Sequence, residues 1–471
     1  MATVKGDTTS LGELEIDDFG ERLRGELIHP GDPNYEQARR VWNGLIDRRP
    51  ALIARCANVE DVVECVRFAR SHQILLSVRG GGHNVSGNAV NDGGLVIDLS
   101  RMRNVEVSES DRLARVQGGA SWHGVDSETQ AVGLATPGGL ISATGVAGLT
   151  LGGGLGWLRR KWGLSCDNLR SAEVVTAEGE VITASATENA DLFWGLRGGG
   201  GNLGVVTSFE FELHELGPML MCAMVNYSAG RGRDALEFFR EYAASAPDEV
   251  SLIASFWTIP SDPAFPEDTH GQQAILFATC YTGSVDDGEE VLQPLREFDK
   301  PLIDISSVLS YTRFQGIFDS DYPPGELYYW KSSYLNVLED ETIGAILDHC
   351  AQAPSPQSNV VVWHLGGAIS RIAPEDTAYA RRNAPYLLSI EGHWTDPRAN
   401  EDNIRWARQF WTDMQPYAGG IYVNFAGLME EQQLLARDIF GPNYDRMVEL
   451  KNKYDPMNLF HMNANVEPTV T

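Results

Sequence analysis

Cationic residues and long apolar runs are both scarce in this chain of 471 residues. Lys and Arg number 37 against 65 Asp and Glu, which gives a formal net charge of −28. A surface this acidic repels nucleic acid and anionic membranes, so we expect neither as a partner. No apolar run approaches the roughly 20 residues of a membrane-spanning helix, and the N-terminus shows no apolar signal core. We therefore expect a cytoplasmic chain, and the acidity leaves a salt-rich habitat open.

Cysteine pairs with metal-binding or redox spacing are also absent. The six cysteines are scattered and form no C-x-x-C pair; they are Cys56, Cys65, Cys166, Cys222, Cys280 and Cys350. This spacing fits neither a zinc site nor a disulfide scaffold, so we expect no metal. The signature G-x-x-x-x-G-K-[ST] is missing too, which argues against a P-loop nucleotide site.

The chain does contain the mixture of helix and strand patterns that is typical of an α+β protein. Asn58 is the predicted N-cap of a helix over 58–72. Alternation predicts strands over 74–78, 94–99, 112–117, 274–283, 359–367 and 385–394, and apolar spacing predicts helices over 234–246 and 341–353. We predict three parts: residues 1–217, residues 218–420 with an antiparallel sheet, and residues 421–471. The last part is predicted to contain a strand over 422–428, a helix and a Pro-stopped turn.

Glycine is concentrated in three stretches. In "SVRGGGHNVSG" (77–87), unhindered backbone N–H groups beside Arg79 would suit phosphate oxygens, but phosphate binding alone leaves His83 unexplained. The stretch 133–169 mixes glycine with Leu, Val, Ile and Trp, which predicts folded backbone wrapped closely around something. Residues 199–204 match G-x-G-x-x-G, yet the preceding "ADLFWGLRG" has a helical pattern, so a Rossmann site is disfavoured.

Together these stretches are more specific than any one of them. "RPALIARC…LSVRGGGHNVSG", "GLTLGGGLGWLRRKWGLSCDNL", "DLFWGLRGGGGNLGVVTSFEF" and "YVNF" with "KYDPMNLFHMN" occur in that order. They resemble the FAD-linked oxidases of the berberine bridge enzyme type, within the vanillyl-alcohol-oxidase superfamily. The resemblance implies a PCMH-type FAD-binding domain of two α+β subdomains, plus a substrate domain whose antiparallel sheet is covered by helices. Residues 1–217 and 421–471 would form the flavin side and 218–420 the substrate domain.

The same resemblance implies which residues hold FAD. Arg79 and the following glycines would cradle the pyrophosphate, and other positions would line the cofactor. These cofactor positions are Gly80, Gly81, Gly82, Asn84, Gly87, Ser142, Gly145, Val146, Gly148, Thr150, Gly154, Val206, Asn424 and Asn463. Two covalent bonds are implied, from His83 to the 8α-methyl carbon and from Cys166 to C6 of the flavin. An ordinary glycine turn, a structural histidine and a buried cysteine remain the alternatives.

A base that removes an O–H or N–H proton makes hydride transfer from the neighbouring carbon easier. Tyr422 matches the family's Tyr-x-Asn motif, although a free tyrosine with a pKa of about 10 is a poor base. Glu391 and His393, two residues apart, would share one face of a strand and are the alternative bases. A tyrosine that only packs and donates a hydrogen bond is the simpler interpretation of Tyr422.

The sequence therefore predicts an FAD-dependent oxidoreductase that acts on a CH–OH donor. A sugar, an oligosaccharide, or a glycosylated or polyphenolic metabolite is the expected substrate, with O2 reoxidising the flavin to give H2O2. A dehydrogenase of the same fold that uses another electron acceptor stays open. So does a non-catalytic flavin-binding protein, while the oligomeric state is not predicted.

Overall fold

The computed structural model of the chain describes residues 1–427 and 432–469. Three β-sheets carry most of the strands, and helices are interspersed with them along the chain. The fold is therefore of the α+β class, as the sequence predicts. No helix within these residues is long and apolar enough to cross a membrane.

The first sheet has four strands in the order β1-β2-β4-β3. Its strands are β1 (Glu26–Ile28), β2 (Leu52–Arg55), β3 (Leu76–Arg79) and β4 (Leu95–Asp98), with helices α1 (Glu13–Arg22), α2 (Tyr35–Ala38) and α3 (Val59–His72). Strand β4 runs parallel to β2 and β3, and α3 provides the crossover that parallel strands require. The Asn58 side chain accepts the N–H of Asp61, which confirms the predicted N-cap. The first glycine stretch follows β3 directly.

The second sheet is antiparallel, with five strands in the order β5-β6-β10-β8-β9. The strands of this region are β5 (Val105–Ser108), β6 (Leu113–Gln117), β7 (Leu134–Ala135), β8 (Leu169–Val175), β9 (Val181–Ser185), β10 (Val205–Glu212) and β11 (His214–Glu215). Its helices are α4 (Trp122–Gln130), α5 (Val146–Leu151), α6 (Arg159–Trp162) and α7 (Ala190–Leu196). The G-x-G-x-x-G match thus lies between helix α7 and strand β10. A Rossmann site needs the reverse order, so the structure confirms its rejection.

The third sheet is antiparallel and has eight strands. They are β12 (Met219–Ser228), β13 (Ile253–Thr258), β14 (Gln273–Tyr281), β15 (Ile303–Asp304), β16 (Ser307–Ser310), β17 (Leu327–Leu335), β18 (Asn359–His364) and β19 (Tyr386–Trp394). The helices of this region are α8 (Gly232–Ser245), α9 (Val285–Arg296), α10 (Tyr311–Gln315), α11 (Asp340–Cys350) and α12 (Asn400–Asp413). One face of the sheet packs on helices α8, α11 and α12. The other face packs on the second glycine stretch, through residues such as Leu155 and Trp157.

The C-terminal segment contains α13 (Gln432–Phe440) and α14 (Tyr444–Tyr454). The strand predicted over 422–428 is wrong, because Val423–Phe425 form a short 3₁₀ turn. Leu428 lies outside the described residues. Met447 and Leu450 of α14 join the core beneath the second sheet, which places this segment against the N-terminal part of the chain. On this packing we propose the division into residues 1–217, 218–420 and 421–471.

A buried lysine ties α14 to two loops. Lys451 is fully buried, and its Nζ donates to Asp455 Oδ2 at 2.7 Å, to the carbonyl of Asn202 at 3.0 Å and to that of Phe460 at 2.8 Å. Burial lowers the pKa of Lys451. We expect Lys451→Met to lower the free energy of unfolding by about 3–5 kcal/mol in urea titrations, because Asp455 is left buried without its cation.

Lys453→Met is the matched control for this prediction. Lys453 pairs with Asp191 at 2.6 Å on the surface of the same helix, and surface pairs contribute about 0–1 kcal/mol. Equal losses in the two variants would contradict the role given to Lys451.

Candidate active site

A large cavity lies between the glycine stretches and the third sheet. On one side it is lined by residues from segments 80–89, 140–151, 200–206, 422–426 and 460–464. On the other side it is lined by residues of strands β13, β14, β17, β18 and β19 and by Phe318, Asp321 and Tyr322. The elements that the sequence assigned to cofactor and to substrate therefore face one another across one space.

Glycine is required where the first two glycine segments meet. A Cβ on Gly81 would lie 2.5 Å from Cα of Gly145, so the two backbones touch directly. Gly148 has no heavy atom within 4 Å of its Cβ position, and the nearest atom at Gly200 is 3.8 Å away. Bare backbone thus borders open space, as a long cofactor in close approach needs. No Lys or Arg lines the cavity in the part of the chain that the structure describes, so phosphate charge would be met by backbone N–H groups.

Twelve predicted site residues line this cavity. They are His83, Gly80, Gly81, Gly82, Asn84, Gly145, Gly148, Val206, Asn424, Asn463, Tyr422 and Glu391. The third glycine stretch contributes Gly200, Gly201 and Gly204, which the sequence analysis did not assign to the cofactor. These three glycines could have been predicted from the sequence, because they lack side chains and occur together with the other glycine motifs.

Arg79 does not line the cavity, and its role at the pyrophosphate stays a prediction without support from this geometry. Its guanidinium donates to Asp98 Oδ2 at 2.6 Å and to the carbonyl of Ala38 at 2.5 Å. Arg79 and Asp98 are register partners on the parallel strands β3 and β4. The pair is buried. Burial alone would raise the pKa of Asp98, but the adjacent Arg79 cation favours the carboxylate, and the pKa is lowered.

Five further predicted contacts lie away from the cavity lining. Gly87 forms a turn with φ +68°, and the Ser142 hydroxyl and N–H donate to Asp319. Val146 and Thr150 are fully buried, Val146 in the core beneath the second sheet. Gly154 contacts the site through its backbone, because its N–H donates to Tyr422 Oη. Gly87, Ser142, Val146 and Thr150 therefore support the glycine segments. Gly154 acts through Tyr422.

Cys166 is also outside the cavity lining. The residue is fully buried in a core cluster with Leu155 and Leu164, and its Sγ lies 3.7 Å from Asp167 Oδ1. Burial, and then the charge of Asp167, raise the pKa of the thiol, which disfavours the thiolate that a bond to the flavin ring requires. Arg382 binds both oxygens of Asp167 at 2.7 Å, and its charge lowers the pKa of the thiol without outweighing burial. Leu155 and Tyr422 of the same cluster line the cavity, and the second bond stays a prediction.

His83 borders the cavity with a neutral imidazole. Burial lowers the pKa of His83 to about 4, so the ring is uncharged near neutral pH. Its plane lies against the indole of Trp42, with ring centroids 4.4 Å apart and an interplanar angle of 16°. A neutral imidazole has a free nitrogen lone pair, which is the form that can act as a nucleophile.

Tyr422 is buried at the cavity wall with its hydroxyl oxygen held by two donors. Tyr422 Oη accepts the backbone N–H of Gly154 at 3.1 Å and Nδ2 of Asn424 at 2.9 Å. Burial raises the pKa of Tyr422, while both hydrogen bonds act in the opposite direction. The Tyr-x-Asn spacing revealed the second donor, but the first comes from a residue far away in sequence.

Glu391 lines the opposite wall. Its carboxylate oxygens accept the hydroxyls of Tyr322 and Ser389, each at 2.6 Å, and burial raises the pKa of Glu391. Asp321 lies at the same end, where burial raises its pKa to about 6. Aromatic residues complete this end of the cavity: Trp257, Trp330, Trp363, Phe318, Tyr322 and Phe425. Apart from Glu391, no local pattern predicts the residues of this wall, because they come from separate strands and loops.

His393 does not line the cavity, and its role as a base stays a prediction without support from this geometry. Its Nε2 contacts Glu326 Oε2 at 2.5 Å, and its ring stacks on Tyr328 at 4.4 Å. Glu391 and His393 share a strand face as predicted, but His393 lies one register step beyond the cavity and is covered by Tyr328.

Comparison with known proteins identifies two family segments in the chain. Residues 50–185 match the family described as "FAD binding domain", and residues 421–467 match the one described as "Berberine and berberine like". The chain thus contains an FAD-binding segment and a berberine-like segment, and its relatives are named FAD-linked oxidoreductases and oxidases. The two matched segments contain His83 and Tyr422, which line the same cavity.

Three relatives of this FAD-linked oxidoreductase extend over nearly its whole length. An FAD-linked oxidoreductase of Dictyostelium discoideum is 29% identical over 96% of this chain and 97% of its own. The (R)-6-hydroxynicotine oxidase of Paenarthrobacter nicotinovorans is 29% identical over 95% and 97%. The crystal structure of a glucooligosaccharide oxidase from Acremonium strictum superposes with a TM-score of 0.85 and 25% identity, covering 97% of this chain and 98% of that one.

Proposed function

We propose that this enzyme oxidises a CH–OH group of an uncharged, hydroxyl-bearing compound and passes the electrons to O2, giving H2O2. The observation that carries the proposal is the convergence of His83, Tyr422 and Glu391 on one cavity lined by bare glycine backbone. Bound FAD would supply the hydride acceptor. A sugar, an oligosaccharide, or a glycosylated or polyphenolic metabolite is the proposed substrate class.

The cofactor would be held by backbone and by one covalent bond. The glycines of segments 80–82, 145–148 and 200–204 bring backbone without side chains to the cavity, and Asn424 and Asn463 add amide groups. Neutral His83 is the proposed point of attachment. The glucooligosaccharide oxidase of Acremonium strictum has a 6-S-cysteinyl, 8α-N1-histidyl FAD. We propose only the histidyl bond here, because Cys166 lies in the core outside the cavity lining.

Tyr422 is the proposed group that takes the substrate proton. Two donors already point at its oxygen, from Gly154 and Asn424, so a phenolate formed there would be stabilised without rearrangement. Glu391 accepts two hydroxyl hydrogens and would orient the substrate by accepting another. These roles separate proton removal at one wall from substrate orientation at the other.

The lining of the substrate end selects against negative charge. Asp321 and Glu391 face a space that no Lys or Arg enters among the described residues, so a carboxylate or phosphate on the substrate would meet only repulsion. Aromatic rings cover the apolar faces of cyclic compounds, and carboxyl oxygens accept hydroxyl hydrogens. The same two carboxyls would also attract a protonated amine, which makes an amine donor the second candidate substrate.

A matched pair of sugars tests the proposal. We expect a neutral oligosaccharide to bleach the flavin in the absence of O2, and the same oligosaccharide with a terminal uronic acid to react with a roughly 100-fold lower second-order rate constant. Stopped-flow absorbance of the flavin is the measurement. Equal rates for the two sugars would contradict the charge selection.

Further outcomes of the same experiment separate the remaining alternatives. Mixing the bleached enzyme with air should restore the flavin colour and release one H2O2 per flavin. If the flavin colour returned slowly with O2 and quickly with a quinone, the enzyme would be a dehydrogenase. Bleaching by amines alone would favour the second candidate substrate. No bleaching across sugars, alcohols and amines would indicate a non-catalytic flavin-binding protein.

A further inference from the structure

A short segment, Trp42 to Gly44, lies between the His83 loop and the third sheet. The N–H of Trp42 donates to the carbonyl of Gly82 at 3.0 Å, directly before His83. On the other side, the N–H of Gly325 donates to the Trp42 carbonyl, and that of Gly44 donates to the Glu326 carbonyl, each at 2.8 Å. The segment is therefore bonded both to the flavin side and to the substrate side.

Asn43 fixes the same arrangement through its side chain. The residue is fully buried, and its Nδ2 donates to the carbonyl of Val85 at 2.7 Å and to that of Tyr328 at 2.9 Å. Its Oδ1 accepts the N–H of Tyr328 at 3.1 Å. One amide thus joins the loop that carries His83 to strand β17.

Four rings form a continuous stack through this junction. The centroids of His83 and Trp42 are 4.4 Å apart, those of Trp42 and Tyr328 are 3.9 Å apart, and those of Tyr328 and His393 are 4.4 Å apart. The interplanar angles are 16°, 18° and 23° in the same order. Glu326 ends the stack by contacting His393.

Trp42 itself is held rigidly. It is 6% exposed, its indole N–H donates to the carbonyl of Tyr322 at 2.9 Å, and its edge meets Trp330 at 5.6 Å. Trp42 is not part of the cavity lining, so it cannot act on substrate directly. It can act on the chemistry through the orientation of the His83 ring, which it contacts face to face.

We propose that Trp42 is a positioning residue for covalent attachment of the flavin: it holds the neutral imidazole of His83 in the orientation that the bond requires. The inference rests on the histidyl bond of the proposed function. The new C–N bond replaces one C–H of the flavin methyl group and one N–H of the imidazole. The two electrons and two protons released reduce O2 to H2O2 by way of the flavin. Since the third sheet clamps Trp42, attachment depends on docking of the substrate side.

The rate of attachment tests this inference independently of turnover. Full-length apoprotein from riboflavin-limited cells is mixed with FAD in air, and covalent FAD is measured over time by acid precipitation and intact mass. We expect Trp42→Leu to slow bond formation about 100-fold, because a misoriented reacting group loses its proximity advantage. Trp42→Phe, which keeps a stacking ring, should stay within about threefold of the parent.

Trp406→Leu is the matched control. Trp406 is 7% exposed, similar to Trp42, and its indole N–H donates to a backbone carbonyl, that of His349, in the core far from His83. It should leave the attachment rate unchanged even if it lowers the unfolding temperature. Tyr328→Leu removes the ring behind Trp42 and should slow attachment about 10-fold, which provides a second test if Trp42→Leu does not fold.

Each result is decisive. A parental rate in Trp42→Leu or Tyr328→Leu would overturn the inference, and so would an equal loss in Trp42→Phe and Trp42→Leu. Absence of covalent FAD from the parent would overturn the histidyl bond of the proposed function and this inference together. The parent measurement therefore distinguishes the two failures.

Discussion

Tyr422→Phe is expected to lower the rate of flavin reduction by substrate about 10²–10⁴-fold while leaving the FAD content unchanged. The substitution removes only the hydroxyl that accepts the Gly154 N–H and the Asn424 amide, so the ring and its packing stay in place. Anaerobic stopped-flow reduction at saturating substrate measures the effect on the chemical step. Normal FAD absorbance in the purified variant shows that the cofactor side is intact.

The pH dependence of the same rate identifies the proton acceptor. Burial raises the pKa of Tyr422 above its ordinary value. The deprotonated fraction of Tyr422 should therefore grow only in the alkaline range, and the parental rate of flavin reduction should rise with it. Tyr422→Phe should lose this rise. If Glu391 were the base instead, the rate should level off at lower pH. Burial raises the pKa of Glu391, but a carboxyl loses its proton at lower pH than a phenol does.

Tyr334→Phe is the matched control for Tyr422. Its ring lies 6.4 Å from that of Tyr422, and its hydroxyl pairs with that of Tyr379 at 2.5 Å, outside the cavity lining. A loss of rate as large in Tyr334→Phe would show that packing, not the hydroxyl of Tyr422, is being measured. An unchanged rate in Tyr422→Phe would transfer the role to Glu391, which Glu391→Gln then tests.

Local patterns in the sequence predicted the parts of the fold that depend on neighbours along the chain. The N-cap at Asn58 and the alternating strands of the third sheet are decided by residues a few positions apart. His83 and Tyr422 were found because each belongs to a short motif. The strand predicted at Tyr422 failed because the Asn424 side chain bonds the distant carbonyl of Leu149, where the backbone makes a 3₁₀ turn.

The site residues that were missed or misplaced depend on long-range contacts. Trp42 meets the carbonyl of Tyr322, 280 residues away, and no local pattern reports that pairing. Arg79 was assigned to phosphate because a cation beside glycines suits an anion, but strand pairing places Asp98 against its guanidinium. Cys166 was assigned by family resemblance alone. Its neighbour Asp167 pairs with Arg382, 215 residues away, and burial of the thiol outweighs the charges of Arg382 and Arg197, so the pKa of Cys166 is raised.

His83→Ala is expected to abolish covalent FAD, whereas Cys166→Ala is expected to keep it in full. The reason is geometric: neutral His83 lines the cavity, while the Cys166 thiol is fully buried outside its lining, with a raised pKa. Intact mass of the denatured protein measures the result directly. The parent and Cys166→Ala should each carry the mass of one FAD, and His83→Ala should carry none.

His214→Ala is the control for loss of a histidine. The His214 ring is partly buried, stacks on Trp162 and bonds Asn168, remote from the cavity lining. It should keep one covalent FAD. Covalent FAD in His83→Ala together with its loss in the double variant of His83 and Cys166 would restore the second bond that the sequence predicts. It would also mean that the Cys166 thiol loses its proton beside Leu164 and the carboxylate of Asp167, against the rise in its pKa that burial causes.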